Sequence, residues 1–385
     1  MMRGCKRALA LGLTGILTLS VPFGAMAAIE KPEKMDDATW ARLQDNVLEY
    51  DEISDLVEYY NPTYRQIVEQ IEINAQPMEE AARELRKSAD EMDSDAKDIK
   101  DLDPVMYKGM REAVKGYRDA AERFDKAVTS VHNQTRHQLS RVKKMTVSGL
   151  QQMMIGYYQA MASREILDTA VALSQAAYES SITQQSLGMA TATDVQAAEK
   201  ALQSARGQLK TLDDTMTNLR QQMCVMTGWS YDADMQLGDV PAPDFAKVQA
   251  MDLERDLERA IGNNYTLIEQ RGISGKGDAN RTAKFRIMDD TEAQVKIQLE
   301  SAYQGILESR TAYEAANVAF QSAQITMNGN DLQYQMGMLG NLEYLQLKMA
   351  YLQQKAAART AALSLTQAIE NYGWIVQGLE GQSAN

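Results

Sequence analysis

The sequence predicts an all-α protein, built as long antiparallel coiled-coil helical hairpins in two tandem repeats. The chain has 385 residues, of which 44% are hydrophobic and only 6% aromatic. It is rich in Ala, Gln, Met, Leu and Glu, which form helices readily. No proline interrupts residues 105–240 or 244–385, and a regular heptad pattern runs through the last part of each stretch.

The heptad pattern defines one apolar seam in each stretch. The first seam consists of Val195, Ala198, Leu202, Ala205, Leu209, Leu212, Met216, Leu219, Met223 and Met226. The second consists of Tyr344, Leu347, Tyr351, Gln354, Ala358, Ala361, Leu365, Ala368, Tyr372 and Ile375. Alternating steps of three and four residues are typical of helices that pack lengthwise as coiled coils. We therefore expect each seam to face another long helix.

A short turn marked by glycine precedes each seam. The turns are Ser186-Leu187-Gly188-Met189 and Gln335-Met336-Gly337-Met338, and they lie 149 positions apart. An acidic residue follows each turn glycine six positions later, Asp194 in the first and Glu343 in the second. Another helix is expected before each turn, over about 155–185 and 284–327. A helix, a tight turn and a returning helix form a long helical hairpin.

This duplication sets the predicted domain boundaries. The domains are a signal peptide (1–27), a first helical repeat (28–228), a linker (229–244), a second helical repeat (245–378) and a tail (379–385). The linker contains Gly238, Pro241 and Pro243, which are typical of irregular connections. The first repeat carries an insertion, roughly 93–145, that has no counterpart in the second.

The first 27 residues have the features of a secretory signal. Arg3, Lys6 and Arg7 precede an apolar run, and Ala25-Met26-Ala27 fits a cleavage site. The signal carries three of the 40 basic residues and none of the 53 acidic ones, so the mature chain has a net charge of −16. Because nucleic-acid binding needs a basic surface, this charge opposes it. We expect an exported protein of the cell envelope.

The composition leaves little material for catalysis or metal binding. The chain has two histidines and two cysteines, and Cys5 falls within the predicted signal. His132 and His137 are five residues apart and do not share one face of a helix. The sequence therefore predicts no enzyme activity, no metal site and no cofactor.

The ordered duplication of hairpin, glycine turn and acidic position resembles the TolC family of outer-membrane efflux ducts. The likeness extends over most of 36–378 and is strongest over 184–228 and 333–378. It implies that three chains assemble into a TolC-like α-helical barrel that encloses a passive tunnel. It further implies that a periplasmic adaptor protein (a membrane fusion protein) links this homotrimer to an inner-membrane transporter. The expected function is the exit duct of an efflux or type I secretion system.

The resemblance also assigns roles to residues at the two turns. The implied adaptor-docking tips are Leu187, Gly188, Met189, Met336, Gly337 and Met338. Glu343 falls where the family has an acidic ring that narrows the tunnel, and Asp194 and Tyr334 fall on a hydrogen-bonded pair at the closed end. Leu339 stands where the family has a basic residue that helps to hold this end closed. An alternative reading is that Glu343 and Asp194 stabilise the starts of their own helices.

One feature of the family has no counterpart in this sequence. The family inserts two membrane strands into each repeat, whereas the candidate segments, 93–103 and 272–283, are short and charged. This difference favours an alternative function, an envelope coiled-coil scaffold or adaptor-like protein without channel activity.

Overall fold

A computed structural model describes residues 31–32, 35–273 and 278–379 and confirms the predicted fold class. The predicted signal peptide and residues 380–385 of the predicted tail lie outside the described residues. The elements in chain order are α1 (Asp37–Arg42), β1 (Val47–Leu48), α2 (Ile53–Tyr60), α3 (Pro62–Ile99), α4 (Pro104–Ser186), α5 (Ala192–Met226), β2 (Gln236–Leu237), α6 (Phe245–Gln249), α7 (Leu253–Asn263), α8 (Tyr265–Gly272), α9 (Asp278–Gln335) and α10 (Asn341–Val376). In the described part of the chain, none of the helices has the length and apolar character needed to cross a membrane.

Four long helices form a wall in the order α5, α4, α10, α9. Helices α4 and α5 form one hairpin, α9 and α10 form the other, and α4 packs against α10. On α5 the predicted seam faces this wall, since Leu202, Met216 and Met223 are buried. On α10 the contacts with its neighbours bury Leu365, Tyr372 and Ile375 of the predicted seam and also Leu352 and Leu363, which lie outside that seam.

Helix α4 is much longer than the helix expected over 155–185. It runs unbroken for 83 residues, and its first half lies within the expected insertion. Helix α3 folds back along that half, so the two form a further antiparallel hairpin. The start of α4 is fixed by Asp103, whose side chain accepts hydrogen bonds from the backbone N–H groups of Val105 and Met106. Pro104 stands at the first helical position, which needs no N–H donor.

A compact core lies where the wall meets this hairpin. It is formed by α2, the middle of α4, the end of α5 and the segment between the repeats, with Leu150, Met154 and Met223 among its fully buried residues. Strands β1 and β2 pair in parallel and join residues 47–48 to 236–237. The Tyr158 hydroxyl of α4 donates to the carbonyl oxygens of Leu237 and Gly238. These contacts hold the connecting segment against the wall.

Candidate functional site

The two predicted tips have the same backbone geometry. Gly188 and Gly337 have φ values of 73° and 72°, in the left-handed region that glycine adopts without strain. The N–H of Met189 donates to the carbonyl of Gln184 at 2.8 Å, and the N–H of Met338 donates to that of Gln333 at 2.9 Å. Hydrogen bonds of this kind close the end of a helix as a Schellman motif. The duplication seen in the sequence is therefore a duplication of structure.

Both tips lie at the same end of the wall. Two contacts between α4 and α10 show the register: Trp374 donates its Nε1–H to Gln151 Oε1 at 2.9 Å, and Lys355 pairs with Glu165 at 2.7 Å. Gln151 lies 36 residues before Leu187 and Trp374 lies 34 residues after Gly340, while Glu165 lies 22 residues before Leu187 and Lys355 lies 15 residues after Gly340. Because both helices rise by about 1.5 Å per residue, these contacts place the two turns within about 3–10 Å of each other in height.

The six predicted docking residues form exposed apolar surface. Leu187, Met189, Met336 and Met338 are 58–76% exposed. A Cβ atom added at either turn glycine would meet no atom of the described residues within 4 Å. The glycines are required by their backbone angle and not by crowding, so the surface around them is free to contact another molecule.

The first tip is closed by a capping box. The Thr191 hydroxyl oxygen accepts from the N–H of Asp194, and the Asp194 carboxylate accepts from the backbone N–H of Thr191 at 2.8 Å. The backbone hydrogen bond from Thr191, followed by the bond from its hydroxyl, lowers the pKa of Asp194. Asp194 therefore stabilises the start of its own helix, as expected from the alternative to a pairing with Tyr334.

The second tip is stabilised differently. Its N-cap is Gly340, which has no side chain, and Glu343 occupies the exposed position that corresponds to Asp194. The rings of Tyr334 and Tyr344 stack with centroids 4.0 Å apart, and the Tyr344 hydroxyl donates to Asp331 Oδ1 at 2.9 Å. Burial, and then the hydrogen bond with Asp331, raise the pKa of Tyr344.

The structure does not bring Asp194 and Tyr334 together within one chain. Asp194 binds Thr191 in the first tip, whereas the Tyr334 hydroxyl lies 3.4 Å from Asn341 Oδ1 in the second. Glu343 and Leu339 also belong to the second tip. The described tips are thus separate units, each closed by its own residues.

Sequence reasoning missed an apolar row on the outer face of α9. Leu307, Val318, Ile325 and Leu332 are exposed, and the last three, 57–74% exposed, are seven residues apart. The opposite face of α9, which includes Leu299, Ile306 and Met327, is buried in the wall. The spacing of seven was visible in the sequence, but Gln304 and Thr311 interrupt the row and hide it.

The other edge of the wall is the outer face of α5. Its exposed residues there are small or polar and include Lys200, Ser204, Gly207 and Thr211. A Cβ atom added at Gly207 would meet no described atom within 4 Å. The wall therefore ends in a ridge of large apolar side chains on α9 and in a shallow face on α5.

The described residues include no group of three or more His, Cys, Asp or Glu side chains placed to hold a metal ion. The Nδ1 atom of His132 lies 3.0 Å from the carbonyl of Val128 in its own helix. Cys224 is a buried free thiol, and burial raises its pKa.

No protein-family model matches the chain, and no curated protein matches it. Among solved structures, the chain is similar to outer membrane channels. It is 14% identical to the Campylobacter jejuni CmeC outer membrane channel, over 70% of this chain and 69% of that one, with a TM-score of 0.43. The outer membrane protein VceC from Vibrio cholerae is 11% identical over 68% of this chain and 76% of its own, with a TM-score of 0.42. A membrane protein from Pseudomonas aeruginosa is 13% identical over 83% and 93%, with a TM-score of 0.41. Each of these likenesses is at low identity and concerns the fold alone.

Proposed function

We propose that three copies of this chain close into a tunnel of α-helices that serves as the passive exit duct of an envelope-spanning efflux or type I secretion system. The observation that carries the proposal is the pair of unlike edges on one wall. The apolar ridge of α9 needs cover, because exposed rows of large apolar side chains mark interaction surfaces. The outer face of α5 offers the complementary shape.

The two edges match in height as well as in shape. Val318 lies nineteen residues before Gly337, and Gly207 lies nineteen residues after Gly188. If α9 of one copy packs against α5 of the next with the tips level, Val318 meets the helix backbone at Gly207. Ile325 then faces the region between Lys200 and Ser204. An interface between unlike edges repeats from copy to copy and can close into a ring.

A ring of this kind encloses a wide space. Three copies contribute twelve wall helices, since each copy has four. Helices packed at about 10 Å give a circumference of about 120 Å. Subtracting a helix diameter of about 10 Å leaves an internal width of about 28 Å. The number of copies follows the resemblance, and the conduction is passive, with no catalytic step assigned to the chain.

The interface between copies can be tested by disulfide formation. With Val318→Cys and Gly207→Cys in the same chain, oxidation should link neighbouring copies into covalent trimers. The matched control pairs Val318→Cys with Thr193→Cys, which lies on the same face of α5 but about 21 Å away along the helix. Equal linking by both pairs, or by neither, would contradict the proposed ring.

We further propose that the exposed tips bind an adaptor protein that connects the duct to an inner-membrane transporter. The apolar side chains of Leu187, Met189, Met336 and Met338 provide the contact surface. The double variant Gly188→Val, Gly337→Val should abolish adaptor capture, because valine cannot adopt the left-handed turn without strain. Gly262→Val, at an uncrowded glycine in α7, is the control and should retain capture.

The alternative, a coiled-coil scaffold that conducts nothing, makes a different prediction. A scaffold does not need unlike edges that close on each other. Solute entry into sealed vesicles that carry the purified assembly separates the two functions. Conductance that the oxidised Val318→Cys, Gly207→Cys ring retains supports the duct, whereas ring formation without any conductance supports the scaffold.

A further inference from the structure

The hairpin of α3 and the first half of α4 has two unlike faces. Its inner seam is closely packed, since Ala75, Ala82, Ala89 and Ala96 are no more than 2% exposed. Along one face, ion pairs join the helices: Arg86 with Asp125, Arg111 with Asp93, and Arg118 with Asp90. Because each of these ion pairs joins α3 to α4, the paired residues mark one common face of the hairpin. The charged side chains named on this face are paired with each other within the chain.

The opposite face of the hairpin is apolar. It displays Leu85 and Met92 from α3, which are half-buried, and Tyr117 and Phe124 from α4, which are 36% and 38% exposed. Each of these residues lies on the side of its helix away from the ion pairs. No described element other than the two helices themselves covers this face along the outer part of the hairpin.

Small residues on α4 make the same face accessible to another helix. Gly109, Ala113, Gly116 and Ala120 follow one another at steps of four, three and four residues, so they lie in one row. A Cβ atom added at Gly109 or Gly116 would meet no described atom within 4 Å. A glycine within a helix costs about 1 kcal/mol relative to alanine, and no contact of the described chain requires either of these two.

We infer that this face is an interface between copies of the chain, and that the hairpins of the three copies pack with their apolar faces toward one another as a six-helix bundle that continues the wall. The inference rests on the ring proposed above. The Lys143–Glu58 ion pair and the Ser140–Tyr265 hydrogen bond tie the base of the hairpin to the rest of the chain. Because α4 continues unbroken from wall to hairpin, a ring of copies brings the hairpins around the same axis.

The size and the border of the face both favour another copy as the occupant. Residues 104–139 of α4, 36 in all, extend beyond the base contacts, which at ~1.5 Å each is about 54 Å, and two helices are about 20 Å wide. The resulting area of ~1,100 Å² exceeds the ~800 Å² that each partner buries in a stable interface. Glu84, Asp95 and Arg123 stand exposed along its border, which suits a protein interface and opposes burial among lipid chains.

Cysteine cross-linking tests the inference. Ala120→Cys places a thiol on the apolar face, and Asp119→Cys places one on the outward, charged side one residue away. In the assembled mature protein, a short bis-maleimide should link Ala120→Cys chains to one another at least tenfold more than Asp119→Cys chains. Gly116→Glu added to Ala120→Cys should suppress the linking while helical content is retained, because that site has room for a side chain.

The two cross-linking experiments test the ring interface and the hairpin interface independently. If the Val318–Gly207 disulfide forms but Ala120→Cys links no better than Asp119→Cys, the hairpin inference is overturned and the ring remains. If neither forms, the ring itself is wrong. Linking of Ala120→Cys to other envelope proteins in place of its own copies would also overturn the inference.

Discussion

The two ends of the helical wall use the same turn for different purposes. Each of the four wall helices ends at a glycine with positive φ. Helices α4 and α9 end at the tips with Gly188 and Gly337, and helices α5 and α10 end at the base with Gly228 and Gly378. At the base the turn is closed against the chain itself, because a Cβ at Gly228 would lie 2.5 Å from the Tyr60 carbonyl oxygen. Gly378 is pressed against Asn263 in the same way. At the tips the turn meets nothing within the described chain.

Asparagine side chains complete the closed base. The Asn61 amide donates to the carbonyl of Met226 at 2.7 Å, and the Asn263 amide donates to that of Val376 at 2.9 Å. Identical local structure therefore serves internal packing at one end and leaves an apolar surface at the other. The comparison indicates that the base holds the fold together and that the tips are available for binding.

The largest expected effect comes from filling the closed turns. Gly228→Ala or Gly378→Ala should lower the free energy of unfolding by about 3 kcal/mol, since strain at positive φ adds to a clash with backbone. Gly188→Ala or Gly337→Ala should lower it by about 1 kcal/mol, from strain alone. Urea unfolding of the four variants measures the difference. Equal losses at both ends would refute the contrast.

A second prediction compares the two asparagines of the base. Asn61 is buried, caps α3 by accepting from the N–H of Tyr64, and also binds Met226. Asn61→Ala should therefore cost about 2 kcal/mol, the sum of a lost cap and an unpaired carbonyl. Asn263→Ala should cost about 0.5 kcal/mol, because Asn263 is exposed and the cap of α8 comes from Asn264. The same unfolding measurement applies, and a larger loss for Asn263→Ala would reverse the assignment.

A third prediction concerns the two tips. Thr191→Ala removes the capping box and should destabilise the start of α5 by about 1 kcal/mol. Gly340→Ser introduces a capping oxygen at the equivalent position of α10 and should stabilise it by about 0.3 kcal/mol. Hydrogen exchange of the first-turn amides reports each effect locally. Protection that is unchanged in Thr191→Ala would show that the box does not hold the first tip.

The smallest effect is a dependence on pH at the first tip. Hydrogen bonds from Thr191 lower the pKa of Asp194 in the folded chain. The stabilisation that this carboxylate provides is present above the ordinary carboxyl pKa of about 4 and is lost as the pH falls through the lowered value. The chemical shift of the Thr191 amide should follow this titration, and Asp194→Asn should abolish it. A titration at the ordinary value would mean that the capping box is not formed in solution.

The sequence predicted the hairpins because their signals are strong and local. A glycine turn, a six-residue step to an acidic residue and ten consecutive heptad positions occur twice. The α3–α4 hairpin was missed because its inner seam is alanine, which contributes little hydrophobic signal although it packs closely. Burial of Ala75, Ala82, Ala89 and Ala96 becomes evident only when the partner helix is in place.

The candidate site was predictable in position but not in chemistry. The exposure of Leu187 and Met338 depends on where the neighbouring hairpin ends, which heptads do not specify. From the sequence, Asp194 could either cap its own helix or take part in the hydrogen-bonded pair at the closed end of the tunnel. The structure shows the capping bond, in which the backbone N–H of Thr191 donates to the Asp194 carboxylate. The seven-residue spacing of Val318, Ile325 and Leu332 on α9 is visible in the sequence. That these side chains are exposed on the outer face of the wall is evident only from the fold.

In the proposed tunnel, copies of this chain close on one another through the edges of α9 and α5. The most direct test is the native mass of the mature protein, extracted from the envelope fraction in mild detergent. We expect three chain masses, falling to one in the variant Val318→Glu, Ile325→Glu. A monomer or dimer that is stable without detergent would contradict the tunnel and leave the scaffold as the function of this fold.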